Sequence, residues 1–428
     1  MFCDGQLIRL EKLPRNECVM NPPTIRLNNP AAPPTPPPTM LQCRCDEGFA
    51  AWLQESGGSV AVSTYQAGMV VMVGWDGKLN GGAGGVSILP RRFDKPMGMA
   101  VQCDGAGRAE RIALATRRSL ALLADSRLLA YEYQPGDIAR FDGLFLMRVS
   151  WHTNDIFPHD LAFASDGQIW VVNTRFSCLA TPSERHAFEP RWRPTFISDL
   201  VPEDRCHLNG LAMVEGRPRY VTALGETDTA GGWRPTKNGG GVVIDVRTGE
   251  TVSRGYSMPH SPRWHDGRLE LLNSGTGEYG FMDTDTGRFE PIAALPGYLR
   301  GLCAVGPHAL VGMCMIREKH IFGGLPVSQR WPALKSGVAV VDRTTGRVLG
   351  ELEFTSGCQE VFEVRFLPGV RHANILNLER PEAADAFPLP APYGSYWLRP
   401  DKMIADDPLA QRNQQLDTFA DRDGDPGR

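Results

Sequence analysis

The chain lacks any run of about eighteen apolar residues, the length a membrane-crossing helix needs. It lacks an excess of positive charge as well. Its 45 Lys and Arg stand against 49 Asp and Glu, a formal net charge of -4. A broad nucleic-acid surface is normally basic, so that class of function is set aside. The first residues, MFCDGQLIRLEKLPRNE, carry charge and no apolar signal core. The compartment expected from these absences is the cytoplasm.

Common catalytic signatures are absent too. There is no G-x-S-x-G elbow and no H-E-x-x-H, which removes the usual serine-hydrolase and zincin readings. The glycines Gly239, Gly240 and Gly241 have no Lys-Ser/Thr after them, so they are not a phosphate loop. The 10 cysteines are dispersed along 428 residues. Without a secretory signal, disulfides are not expected. Cys43 and Cys45 lie one residue apart with no second close pair nearby. Free, partly buried thiols are the preferred reading there, over a structural zinc site.

Long amphipathic helices are missing from about residue 60 to residue 390. What fills that span is a recurring phrase: a polar start, a short apolar run, a turn and a second apolar run. It is clearest in WHTNDIFPHDLAFASDGQIWVVNTR (Trp151 to Arg175) and CHLNGLAMVEGRPRYVTAL (Cys206 to Leu224). Weaker copies begin near Lys95, His260, Leu299 and Gln359. Asp166-Gly167, Glu215-Gly216 and Asp266-Gly267 mark tight hairpin turns, because glycine accepts positive φ. A second phrase, Asp-x-x-Thr-Gly between apolar runs, occurs at Asp245, Asp283 and Asp342.

A repeat of this period implies stacked or radially arranged units. The fold class predicted is all-β, a six-bladed β-propeller, with inner strands near Met97, Asp160, Gly210, Ser261, Gly301 and Glu363. Strands near residues 60–75 either close the last blade as a clasp or form a seventh. A β-sandwich is the architectural alternative. A short helix is predicted just before them, from Phe49, Trp52 and Leu53 at helical spacing, stopped by Gly57-Gly58. Residues 1–40, with eight prolines between Pro22 and Pro38, read as a disordered leader. Residues 41–390 read as the propeller domain, and 391–428 as a tail, partly disordered.

In a propeller, residues at the start of each inner strand face the axis. Three of the 9 histidines, His159, His207 and His260, fall at or near that place in consecutive repeats. Neutral imidazoles that converge can hold a divalent transition metal or calcium, so these three are the candidate metal ligands. They can equally line a metal-free channel, or cap their own strands. Asp160 and Glu363 are the candidate catalytic carboxylates. Asn154, Asn209, Arg300 and Arg175 are the candidate substrate-binding residues, and Arg175, like Arg117, can instead pair with a carboxylate. The insertions around Gly231-Gly232-Trp233 and His320 to Trp331 are placed to cover one face of the ring.

HLNGLAM (His207 to Met213) resembles the Asn-Gly-Leu-Ala step of the gluconolactonase and regucalcin propellers. That resemblance implies a role for Asn209 as a ligand of a central divalent ion, and a lactonase-like activity. WHTNDIFPHDLAF, RCHLNGLAM, SMPHSPRWHDGRLELLNSGTGEYG and PGYLRGLCAVG together resemble a bacterial family of conserved hypothetical proteins. That resemblance spans roughly residues 45 to 385 and brings no established reaction. The expectation is a small-molecule-binding propeller, as a metal-dependent hydrolase or lyase acting at the central channel. The alternative is a non-catalytic propeller that binds a protein or peptide.

Overall fold

The computed structural model describes residues 40–133, 141–316 and 323–398. Residues 1–39 of the expected leader and most of the tail lie outside the described residues, as does His320.

Six antiparallel meanders form the blades of a propeller. Blade 1 runs Met99–Cys103, Ala109–Ala115, Ser119–Asp125 and Gly143–His152. Blade 2 runs Pro158–Phe163, Ile169–Asn173, Cys178–Thr181 and Glu189–Trp192. Blade 3 is Leu208–Val214, Arg217–Ala223, Gly241–Asp245 and Thr251–Tyr256. Blade 4 is Pro259–His265, Arg268–Asn273, Glu278–Met282 and Phe289–Ala294. Blade 5 is Tyr298–Val305, His308–Cys314, Gly337–Asp342 and Val348–Ser356.

Blade 6 is assembled from both ends of the chain. Its inner strand, Glu363–Pro368, pairs with Gly58–Thr64, which continues into Met69–Asp76 and Gly85–Arg92. The strands near residues 60–75 are therefore the clasp and not a seventh blade. Two further strands cover blade edges. Gln42–Cys45 adds to the outer strand of blade 5, and Ala373–Leu376 lies parallel to the outer strand of blade 1. Closing the ring and covering its rims leaves few open edges for other chains to pair with.

The turn chemistry follows the sequence. Glu215 and Gly216 have φ 50 and 71, and Asp266 and Gly267 have φ 51 and 75. Two successive positive φ values are what a tight two-residue hairpin needs. In the Asp-x-x-Thr-Gly turns, the aspartate carboxylate accepts backbone N–H groups inside its own loop. Asp342 takes Thr344 and Thr345 at 2.9 and 2.7 Å, and Asp283 takes Asp285 and Thr286 at 2.9 and 3.0 Å. The motif is a self-satisfied turn, with the glycine at positive φ closing it.

The predicted helix forms at Glu47–Glu55, where the Asp46 side chain accepts the Phe49 N–H at 2.7 Å. Its buried Phe49, Trp52 and Leu53 pack with Val60, Val62, Val338, Val340 and Leu352 between blades 5 and 6. The last described segment is a hairpin, Ala386–Pro388 with Ser395–Trp397. Trp397 stacks on Tyr133 at 5.4 Å, so ordered chain crosses residue 390. No described helix is long and apolar enough to cross a membrane. The eight described cysteines form no disulfide with one another, and partial burial raises the thiol pKa of Cys43 and Cys45 to about 11.

Candidate functional site

Strand register fixes which residues are equivalent around the axis. Pro158 pairs with Asn173, Pro259 with Asn273 and Leu208 with Ala223, while Leu299 pairs with Met313. The next residue of each inner strand is therefore His159, His260, Asn209 and Arg300. His207 sits two residues earlier than the equivalent place and reaches the same hollow by another route. Its backbone is left-handed, φ 51, as are Phe157 (φ 54) and Met258 (φ 51) just ahead of the neighbouring inner strands. Non-glycine residues in this region carry strain, which cores and sites must hold in place.

All of these residues except Asn209 line a cavity of roughly 160 Å³ at the face of the ring where the inner strands begin. His159, His207, His260 and Arg300 share it with Phe157, Trp233, Met258, Tyr298 and Phe362. The imidazole of His159 lies 4.8 Å from that of His207, ring centre to ring centre, and 6.4 Å from that of His260.

Each histidine has its Nδ1 committed. His159 Nδ1 lies 3.2 Å from the Phe157 carbonyl and 2.7 Å from the Thr174 hydroxyl. That hydroxyl donates to the Leu208 carbonyl and so accepts from the ring. His260 Nδ1 lies 2.9 Å from the Met258 carbonyl. His207 Nδ1 lies 2.9 Å from both carboxylate oxygens of Asp204. Carbonyls and carboxylates only accept, so Nδ1 carries the proton in all three rings. In the neutral ring Nε2 is then the lone-pair nitrogen. Asn209 Nδ2 stands 3.5 Å from that of His260, and its amide is oriented by the Thr222 hydroxyl, which donates to Oδ1 at 2.6 Å.

Burial, with Arg300 and the neighbouring imidazoles, lowers the pKa of His159 well below the ordinary histidine value. Burial followed by Arg300 does the same to His260. Both rings are neutral at pH 7 and poor bases. Asp204 was not legible as a site residue, although an Asp three residues before a His at a strand start was the available signal. It also accepts from Trp233 Nε1 at 3.1 Å, and the Trp233 ring packs on His207 at 4.5 Å. The insertion in blade 3 thus does cover this face, by delivering Trp233.

Asp160 and Glu363 do not line the cavity. They lie beneath it in a buried network with Arg263 and Arg365. Arg263 reaches Asp160 at 2.7 Å and Glu363 at 2.9 Å, and Arg365 reaches Glu363 at 2.9 Å and Asp160 at 3.3 Å. Asp160 also accepts the N–H groups of Leu161 and Leu211, and the arginines donate to the carbonyls of Met99, Leu211 and Leu302. All six inner strands are tied by this one neutral cluster across the axis. Arg263 and Arg365 face a second hollow of roughly 390 Å³ at the opposite end of the channel.

Asn154 is exposed and lies outside the cavity, at φ 57. Arg175 also lies outside it, 3.2 Å from Asp155, whose backbone carbonyl it also bonds. Of the substrate-binding candidates, Arg300 lines the cavity and Asn209 borders it through His260. Among the described residues, no group of three or more His, Cys, Asp or Glu side chains is placed to hold a metal ion.

Fold and site define a six-bladed propeller with a ligand-sized cavity above an axis sealed by ion pairs. The chain belongs to the family described as Domain of unknown function (DUF4915), whose model matches residues 47–376. A comparison with curated proteins gives no match. Among solved structures, a chain from a nidogen/laminin complex aligns at TM-score 0.46 and 9% identity, over 73% of this chain and 99% of that one. A protein of unknown function from Bacteroides caccae aligns at 0.43 and 9%, over 72% and 98%. Virginiamycin B lyase from Staphylococcus aureus aligns at 0.33 and 10%, over 74% and 99%.

Proposed function

We propose that the protein binds a small organic molecule in the cavity lined by His159, His207, His260 and Arg300, and acts on it by proton transfer as a hydrolase or lyase. The observation that carries this reading is the shared tautomer of the three imidazoles. Each spends its Nδ1 proton on a fixed acceptor, so each keeps Nε2 as an acceptor or base. His207 is the proton-transfer group, because the Asp204 carboxylate steadies the imidazolium that forms when Nε2 takes a proton. Neutral His159 and His260 position the ligand. Asp160 and Glu363 act at a distance, by fixing the inner strands that carry His159 and Phe362.

A divalent ion shared by the three Nε2 atoms is the competing proposal, since metal-bound histidines also have their second nitrogen held by a carbonyl or carboxylate. The Arg300 guanidinium in the same cavity favours the metal-free arrangement, because it repels a cation. The test is a chemically diverse fragment screen read by methyl NMR at Met258 and Met315. Hits that shift those methyls and weaken in His207→Ala support the reading. A screen that moves neither methyl, alongside a peptide that binds the outer surface of the ring, would make the protein an interaction module.

A further inference from the structure

Arg300 is a cationic group at an axial position of the cavity wall, with Arg234 also lining the cavity, and its hydrogen bonding is incomplete. The residue is 7% exposed. Its guanidinium carbon lies 3.5 Å from the centre of the Phe362 ring, so one face of the group is covered. Nη1 meets Glu360 at 3.5 Å, the outer limit of a hydrogen bond. Nη2 is buried and has no partner among the described residues. A buried charged donor left unmade costs more than an ordinary unmade hydrogen bond. The chain keeps this one beside an open cavity, where a ligand atom can complete it. Glycine at the next position lets the strand run close to its neighbour. Gly301 has φ 83, and a Cβ there would stand 2.6 Å from the Val364 nitrogen.

Two of the imidazoles facing the cavity have the opposite character. With Nδ1–H spent on carbonyls, the Nε2 atoms of His159 and His260 accept and do not donate, that of His260 already having Asn209 Nδ2 at 3.5 Å. A carboxylate placed against them would be repelled, and a hydroxyl would be held. The wall between includes Phe157, Trp233, Met258 and Tyr298, and its two carboxylates, Asp204 and Glu360, face His207 and Arg300. The volume of roughly 160 Å³ matches cavities that hold a single aromatic ring.

We infer that the cavity takes a hydroxycarboxylic acid with a small apolar body, its carboxylate on the Arg300 fork and its hydroxyl donating to the imidazole of His159 or His260. Two N–H groups of one guanidinium match the two oxygens of a carboxylate, a geometry an ammonium does not reproduce. This inference rests on the small-molecule reading above and adds the ligand's chemical class to it.

The experiment is calorimetric titration of the full-length protein with mandelate, its neutral amide mandelamide, and phenylacetate, which lacks the hydroxyl. Lactate serves as a smaller hydroxy acid. Mandelate is expected to bind at least tenfold more tightly than either analogue. Arg300→Gln should remove the preference for acid over amide while leaving weak amide binding in place. Arg300→Lys should restore only part of it. Equal affinity of acid and amide for the wild-type protein overturns the inference without needing a variant. If mandelamide still shifts the Met258 and Met315 methyls in that case, the small-molecule reading survives alone. Absence of binding by mandelate and lactate alike also overturns the inference, and the fragment screen then judges the broader reading separately.

Discussion

His207 and Asp204 form a hydrogen-bonded pair across three residues, both ends left-handed, with Nδ1 2.9 Å from each carboxylate oxygen and φ of 51 and 49. Such a pair fixes which ring nitrogen faces the cavity. Replacing Asp204 by Asn removes the charge that selects the Nδ1–H tautomer. Nitrogen NMR of His207 should show Nε2 unprotonated in the wild-type protein and mixed tautomers in Asp204→Asn. An unchanged tautomer in the variant would show that Asp204 does not govern the ring.

The axial network should matter to folding far more than to the cavity. Asp160→Ala leaves Arg263 and Arg365 buried with one carboxylate between them. Breaking a buried ion pair from one side costs about 3–5 kcal/mol. Denaturant titration should show a loss of that size for Asp160→Ala and for Arg263→Ala. The double variant should cost less than the sum of the two, because the partners share one cluster. Full additivity would mean that the pairs contribute little.

The clasp makes ring closure depend on the far end of the chain. A chain ending at Cys358 loses the inner strand Glu363–Pro368 and bares the edge of Gly58–Thr64. It should be insoluble or aggregate, as an unpaired hydrophobic edge does. A monodisperse, fully folded truncation by size-exclusion chromatography and circular dichroism would contradict the closure.

Acid should destabilise the ring through its buried imidazoles. His159 and His260 have pKa values well below the ordinary one in the folded state. The unfolded chain therefore takes up their protons first as pH falls. Stability is present above the ordinary histidine pKa, about 6.5, and is lost as pH drops below it. Each such histidine contributes a slope of about 1.4 kcal/mol per pH unit in that range. Chemical denaturation between neutral and mildly acidic pH should show the slope, and His260→Gln should reduce it. An equal slope in the variant would place the acid sensitivity elsewhere.

Purified protein should contain far less than one divalent metal ion per chain by mass spectrometry, and a chelator should leave mandelate binding unchanged. A stoichiometric metal that is lost when His159 and His260 are both replaced by Ala would install the metal-centred reading in place of the one proposed here.

Much of the fold was legible because propeller blades are local structures. Turns such as Asp266-Gly267 and the Asp342 loop satisfy themselves within a few residues, so their sequence signature is complete in one place. The site was legible only in part. His159 and His260 follow a proline at matching strand starts, and register confirms their equivalence. His207 lies two residues out of that register, and only its left-handed backbone swings it back to the shared hollow. Arg175 and Arg300 look alike in sequence. One meets Asp155 outside the cavity, and the other lies over Phe362 with a donor unspent.

The sequence by itself determined a ring of hairpin-built blades and the polar residues that begin its inner strands, and left the strands near residues 60–75 open between a clasp and a seventh blade. Alternation, turn residues and repeat spacing act over short range, and each copy states them again. Only the tertiary structure decided that Asp160 and Glu363 neutralise Arg263 and Arg365, while Arg300 is left to face the cavity. Those partners are separated by up to 205 residues along the chain, and no local pattern records which charges meet once the ring has closed.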